Sequence, residues 1–158
     1  MPTQIMVASA FIHKDGKVLI AKRAASKSFL PDRWEVPGGQ VEFGESIEVA
    51  IAREIQEEIH VDIVVGDPFY TFTYLPEPDI QGIEVDCFAT LTDSSQEIIL
   101  NPEDHSEYTW ISEAEIDTYF PADDWTGKAL KRDLVYLRAN FCYFFSSLKN
   151  SMEDRSHA

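Results

Sequence analysis

The sequence predicts an α/β fold: a β-sheet with helices packed against it, within one domain. Three observations carry this. β-rich runs bounded by turn residues lie on both sides of the chain's centre. Between them, Ile51, Ile55 and Ile59 recur at helical spacing. From Thr126 a second, longer helical period begins.

Taken in order, Gln4 to Ile12 and Lys17 to Lys22 are β-rich, and Asp15-Gly16 between them is a strong hairpin turn. Ala24 to Arg33 is a polar connection. Trp34-Glu35-Val36-Pro37 reads as a short strand that delivers the chain to a tight turn at Gly38-Gly39. A helix is expected from Ser46 to Ile59. Further β-like runs follow at Val61 to Val65, Pro68 to Leu75, Ile80 to Leu91 and Glu107 to Ile111, with breaks at Pro76, Pro78 and Asp93-Ser94-Ser95. Ser112 with Glu115 three residues on forms a capping-box pattern for a short helix. Thr126 to Lys149 reads as a long helix. Its apolar positions Leu130, Leu134, Leu137, Phe141, Phe144, Phe145 and Leu148 point to packing on the sheet, with a homodimer contact as the alternative. Residues 150–158 are polar and expected to be a disordered tail.

The chain has 158 residues, 44% apolar and 26% charged, enough for a sizeable core but not for a second full domain. No apolar run reaches the length of about 20 residues that a membrane span requires. The N-terminus lacks the basic-then-apolar pattern of a signal peptide, so a cytoplasmic location is expected. Cys87 and Cys142 have no metal-ligand spacing and are expected to be buried, reduced thiols. A formal net charge of −15 argues against a nucleic-acid or anionic-membrane partner, which would demand a Lys/Arg cluster. A small phosphorylated substrate, neutralised locally by metal, remains compatible with that charge.

The most informative stretch is Gly39 to Val61. On a helix, Glu54, Glu57 and Glu58 share one face, beside the apolar face of Ile51, Ile55 and Ile59. Like charges at these spacings each cost about 0.2–0.5 kcal/mol. Glu57 and Glu58 also crowd the helix C-terminus, where the macrodipole favours cations. A hard divalent cation with oxygen ligands, such as Mg²⁺, would turn that repulsion into coordination.

Gly39, Glu45, Arg53, Glu54, Ile55, Glu57, Glu58 and Val61 fall in register with the Nudix box, which the segment 39–61 therefore resembles. The box runs Gly, five residues, Glu, seven residues, then Arg-Glu-aliphatic-x-Glu-Glu-x-Gly-aliphatic. His60 stands where the family usually places the glycine that ends the helix in a left-handed conformation. His tolerates positive φ better than most residues, so intact chemistry is expected. The resemblance implies a Nudix α/β/α sandwich over residues 3–149, a mixed sheet with the box helix on one face and the C-terminal helix on the other.

It also implies Mg²⁺-dependent hydrolysis, with Mn²⁺ as a substitute, of the pyrophosphate bond of a nucleoside diphosphate linked to another moiety. That moiety would make the substrate a nucleoside triphosphate, a nucleotide sugar, ADP-ribose or a dinucleoside polyphosphate. Glu57 and Glu58, with Glu54 and the backbone carbonyl of Gly38, would hold the metal. Glu54 is the first candidate for the proton acceptor. A loop carboxylate downstream of the box is the alternative, with Glu103 and Asp104 as candidates; Asp104 best fits the position before His105-x-x-Tyr108-x-Trp110. Arg53 is expected to orient the box carboxylates by ion pairing, with Glu45 among its partners.

Substrate contacts are expected from Arg23, Arg33, Trp34 and Phe72, with Phe29 and Tyr74 near the same cleft, since guanidinium suits phosphate and aromatic rings suit bases. Pro76 and Pro78 do not fall in the register of the proline that marks ADP-ribose-specific members. Two other functional classes compete: a catalytically silent Nudix-fold module that binds a nucleotide, and an acidic cation-binding protein without chemistry. The first often loses box carboxylates, and this chain keeps them. Neither an EF-hand loop nor a Walker-type Gly-Lys-Ser/Thr is present.

Overall fold

Alternation along β1 (Thr3–Lys14) explains the architecture. Ala8, Ala10 and Ile12 face one side of the sheet, while Ser9 and Phe11 face the other, and all of them are buried. A strand buried on both faces needs a layer on each. The computed structural model of the chain describes residues 1–135 and supplies both layers.

β1 turns through Asp15 (φ 50°) and Gly16 (φ 75°) into β2 (Lys17–Arg23), the hairpin the turn chemistry predicts. β3 (Trp34–Glu35) pairs with β2, and β4 (Gly38–Gln40) runs antiparallel to β1. α1 (Ile47–Ile59) follows, with the hydroxyl of Ser46 accepting from the Val49 N–H at 3.3 Å as its N-cap. Among the described residues β5 (Ile63–Glu77) is an edge strand paired only with β6 (Ile80–Leu91), which runs parallel to β1. β7 (His105–Ile111) pairs with β2. A 3₁₀ turn over Glu113–Glu115 leads to α2 (Ile116–Tyr119), and the carboxylate of Glu115 accepts from the Ser112 N–H at 2.9 Å. Residues 125–135 are helical. The Oδ1 of Asp124 accepts from the N–H groups of Thr126 and Gly127 and so caps that helix.

The sheet is mixed, in the order β3-β2-β1-β6-β5 with β4 and β7 attached to β1 and β2. On one face Ile51, Ile55 and Ile59 of α1 pack on Ala8, Ala10, Ile12, Leu19, Val85, Cys87 and Ala89. On the other, Leu130 and Leu134 pack with Phe11, Val18, Ile20, Ile111, Ile116 and Phe120. These are the three layers of the expected α/β/α sandwich. Burial pushes the Cys87 thiol up to about 12, so it stays protonated and unreactive.

Two local expectations are corrected. Gly38 and Gly39 do not form a turn; they lie in β4, opposite Ser9 and Ala8, and the turn comes later, where Glu45 N–H donates to the Glu42 carbonyl. The expected break at Pro76 is likewise absent, because β5 runs unbroken from Ile63 to Glu77. An edge strand tolerates proline where no ladder hydrogen bond is needed, and register shifts after Val65, Pro68 and Tyr74 absorb the irregularity. Leu137, Phe141, Cys142, Phe144, Phe145, Leu148 and the 150–158 tail lie outside the described residues.

Candidate active site

The glycines of β4 bring the strand against both neighbours. A Cβ on Gly38 would run into the backbone of Ala8 and Ser9, and one on Gly39 into the carboxylate of Glu54. That intimacy places the start of the box directly beside the acidic end of α1. Gly38 N–H donates to Glu58 Oε2 at 3.2 Å.

The three helix carboxylates sit in different environments. Glu58 is buried, and burial, followed by the charges of Glu35, Glu54 and Asp104, holds its carboxyl well above the usual range against the opposing Gly38 hydrogen bond. Glu54 is half-buried and Glu57 largely exposed. Arg53 ties Glu54 and Glu57 to Glu45. Its Nε and Nη2 donate to the two oxygens of Glu45 at 2.9 and 3.0 Å, Nη1 to Glu54 at 2.8 Å and Glu57 at 3.3 Å, and Nη2 also to the Gln40 carbonyl. Glu45 foremost, and then Glu54, raise the affinity of Arg53 for its proton. In return, hydrogen bonds from Arg53 and from the backbone of Glu42 lower the carboxyl of Glu45. Among the described residues no three acidic, His or Cys side chains already converge as a finished metal cage.

Asp104 reaches the same neighbourhood from the loop before β7, held by Lys27 Nζ and by Asn101 Nδ2 at 2.8 Å. Glu103 lies exposed on that loop. Between box and loop, Glu35 accepts from Arg23 Nη1 at 2.9 and 2.8 Å, and His105 Nε2 lies 3.0 Å from it.

A cleft of about 180 Å³ opens on the sheet face opposite α1. One end is formed by Glu35 and Gly38 to Gln40, next to the box. Its walls include all four expected substrate-contact residues: Arg23, Arg33, Trp34 and Phe72. Each is also anchored. Arg23 is engaged by Glu35; Arg33 pairs with Asp124 and lies over Trp125 at 4.9 Å; Trp34 meets Tyr119 edge-on; Phe72 stacks on Tyr70 at 5.6 Å.

Ser9, Glu35, Glu84, Asp86 and Trp125 also line the cleft, and none of them was singled out from the sequence. Asp86 is 1% exposed, and burial, then the charges of Glu84 and Asp133, push its carboxyl up to about 8. Burial likewise pushes Glu84 up to about 7, against the hydrogen bond from Ser9 Oγ at 2.9 Å. One signal was available for Asp86, an acid inside the apolar run Val85 to Leu91.

Comparison with known proteins follows the same outline. The model of the NUDIX domain matches residues 3–133. The nucleoside triphosphatase NudI of Salmonella paratyphi B is 28% identical over 124 residues, covering 73% of this chain and 87% of that protein. Among solved structures, the E. coli ORF135 protein is 28% identical with a TM-score of 0.67, over 87% of this chain and 93% of that one. The MutT protein of Methanosarcina mazei Go1 is 26% identical with a TM-score of 0.64, over 84% and 91%.

Proposed function

Because the chain belongs to the Nudix hydrolase family, whose members generally use a divalent metal ion, we propose that it is a Mg²⁺-dependent nucleoside triphosphate pyrophosphohydrolase. The observation that carries this is a cleft walled by arginines and aromatics whose far end, at Gly38 and Gly39, is backed by the carboxylates of Glu58 and Glu54. It offers a nucleoside one end and its phosphates the other. The choice of a triphosphate among nucleoside diphosphate derivatives rests on the NudI relatives; nucleotide sugars, ADP-ribose and dinucleoside polyphosphates are the competing substrates.

The donor set fits a hard cation. It is all oxygen, and the buried carboxyl of Glu58 faces the charges of Glu35, Glu54 and Asp104 with no cationic partner of its own among the described residues. Glu54, Glu57 and Glu58, with the carbonyl of Gly38, would hold Mg²⁺ (or Mn²⁺), which when bound neutralises phosphoryl charge and acidifies water. Arg53 fixes Glu54 and Glu45 while holding Glu57 only at 3.3 Å, so Glu57 is the arm most easily released. Glu54 Oε2 takes no hydrogen bond from Arg53, which leaves an oxygen for the proton of the attacking water. Asp104, already bound by Lys27 and Asn101, is the second candidate for that proton. Arg23 and Arg33 would meet phosphate oxygens, and Trp34 and Phe72 the rings.

The test is hydrolysis with Mg²⁺ of nucleoside triphosphates, nucleotide sugars, ADP-ribose and dinucleoside polyphosphates, run beside Glu58→Gln. Triphosphates should yield monophosphate and pyrophosphate, and Glu58→Gln should lower kcat by at least about 100-fold, beyond the loss typical of a residue that only supports a ligand. Tight retention of a nucleotide with no turnover on any compound would overturn the hydrolase and leave a silent binding module.

A further inference from the structure

Asp86 is the anomaly of the fold. It is 1% exposed, and neither carboxyl oxygen has a hydrogen-bond partner among the described residues. Buried polar groups left without partners cost about 1–3 kcal/mol, so such a group needs a reason to be there. On β6 it points to the face opposite α1, as does Glu84 two residues earlier, while Val85 and Cys87 point into the α1 core. Both acids line the cleft. Of Glu84, only Oε1 takes a hydrogen bond among the described residues, from Ser9.

The surroundings describe the missing partner. Tyr70, Phe72, Tyr74 and Trp125 form a continuous ladder, with successive ring centroids 5.6, 5.9 and 5.8 Å apart, and the last three line the cleft. A planar ring suits such a wall. Two oxygens of Asp86 and one of Glu84 accept no hydrogen bond among the described residues. Burial pushes Asp86 up to about 8 and Glu84 up to about 7, so at pH 8.5 both are mostly ionised and the pair offers acceptors without donors. An edge that satisfies both must supply at least two hydrogens.

We propose that Asp86 and Glu84 are the specificity-determining residues of the cleft and select nucleobases bearing an exocyclic amino group, as in cytosine, adenine and guanine, over uracil and thymine. The amino group brings two hydrogens to the acid pair. Uracil and thymine bring a single ring N–H flanked by carbonyl oxygens, which would face the acceptor oxygens. A site built to bond a substrate N–H rejects the analogue lacking it strongly, because its own buried groups are left unpaired. This inference rests on the cleft being the nucleoside site of the proposed hydrolase.

The experiment compares kcat/KM at pH 8.5 for CTP with that for UTP, which differ at one ring position, in the native protein, Asp86→Leu and Asp86→Asn. The native protein should favour CTP by about tenfold or more. Asp86→Leu should bring the ratio close to one through KM, whereas Asp86→Asn, which keeps an acceptor oxygen and needs no proton, should retain part of it. A native ratio near one, or a ratio untouched by Asp86→Leu, overturns the inference while leaving hydrolysis intact. Should no triphosphate be turned over, the same comparison is made by binding of CMP and UMP, followed through tryptophan fluorescence. Preference for CMP that disappears in Asp86→Leu supports base selection without catalysis, and equal binding ends it. If an inorganic cation alone stabilises the native protein but not Asp86→Asn, and CMP shows no advantage over UMP, the pair is a cation site instead.

Discussion

His60 ends α1 with φ 54° and ψ 40°, the left-handed conformation for which the family usually supplies glycine. The exposed ring compensates, because His60 Nδ1 lies 2.8 Å from the Ile99 carbonyl and ties the helix end to the loop before β7. His60→Ala keeps the backbone cost and loses that bond, so it should destabilise by about 1 kcal/mol. His60→Gly trades one for the other and should unfold within about 0.5 kcal/mol of the native protein in urea. A glycine variant much more stable than the native protein would show that the ring bond contributes nothing. The left-handed residue was legible in the sequence because a long motif fixes the register of every position in it. Asp86 was not. One acid at alternate spacing beside Glu84 reads as a solvent face, and only the assembled helix at 125–135 reveals that this face is covered.

At the scale of elements, α1 depends on its cap. Ser46→Ala removes the acceptor for the Val49 N–H and should cost about 1 kcal/mol, seen as a fall in Tm of about 2–4 °C. The cap lies at the opposite end of the helix from the acids, so kcat should hold at temperatures where the variant is folded; a variant with native Tm and reduced kcat would contradict this. The helix was readable from the period of Ile51, Ile55 and Ile59, although Ser46, expected as its first residue, is its cap. β4 was not, since Gly38 and Gly39 carry no side chains to announce a strand. Their place follows from long-range pairing with β1 and from the carboxylate of Glu54 lying where a Cβ would be. Pro76 misled in the other direction, because proline signals a break only where a ladder hydrogen bond is required, and β5 is an edge strand among the described residues.

For the molecule as a whole, the buried acids dictate how stability responds to pH. Asp86 and Glu84 titrate near 8 and 7 when folded, against ordinary values of 3.8 and 4.5, and burial shifts Glu58 and Asp133 in the same direction. Between about pH 4 and 8 these four acids hold more protons in the folded chain than in the unfolded one, so their contribution to stability declines across that window. In metal-free buffer, Tm by calorimetry should fall from pH 5 to pH 8.5; a rise over that interval would refute the assignment. Asp86→Asn should flatten the decline and raise Tm at pH 8.5 by about 2–4 °C, the equivalent of at least about 1 kcal/mol. The layers themselves were legible from periodicity, and the wall of the cleft at Arg23, Arg33, Trp34 and Phe72 was legible too, whereas its acidic wall was not, because that arises where β1, β6 and the 125–135 helix meet across long stretches of chain. The two-sided burial of β1 and β6 also makes the protein adaptable. Neighbouring residues on one strand serve opposite faces: Ala8 and Val85 support the helix that carries the box, while Ser9, Glu84 and Asp86 line the cleft. A mutagenesis library confined to positions 9, 84, 86 and 125 could therefore explore new substrates while inheriting an unaltered hydrolytic apparatus, and descent by duplication could have used the same freedom.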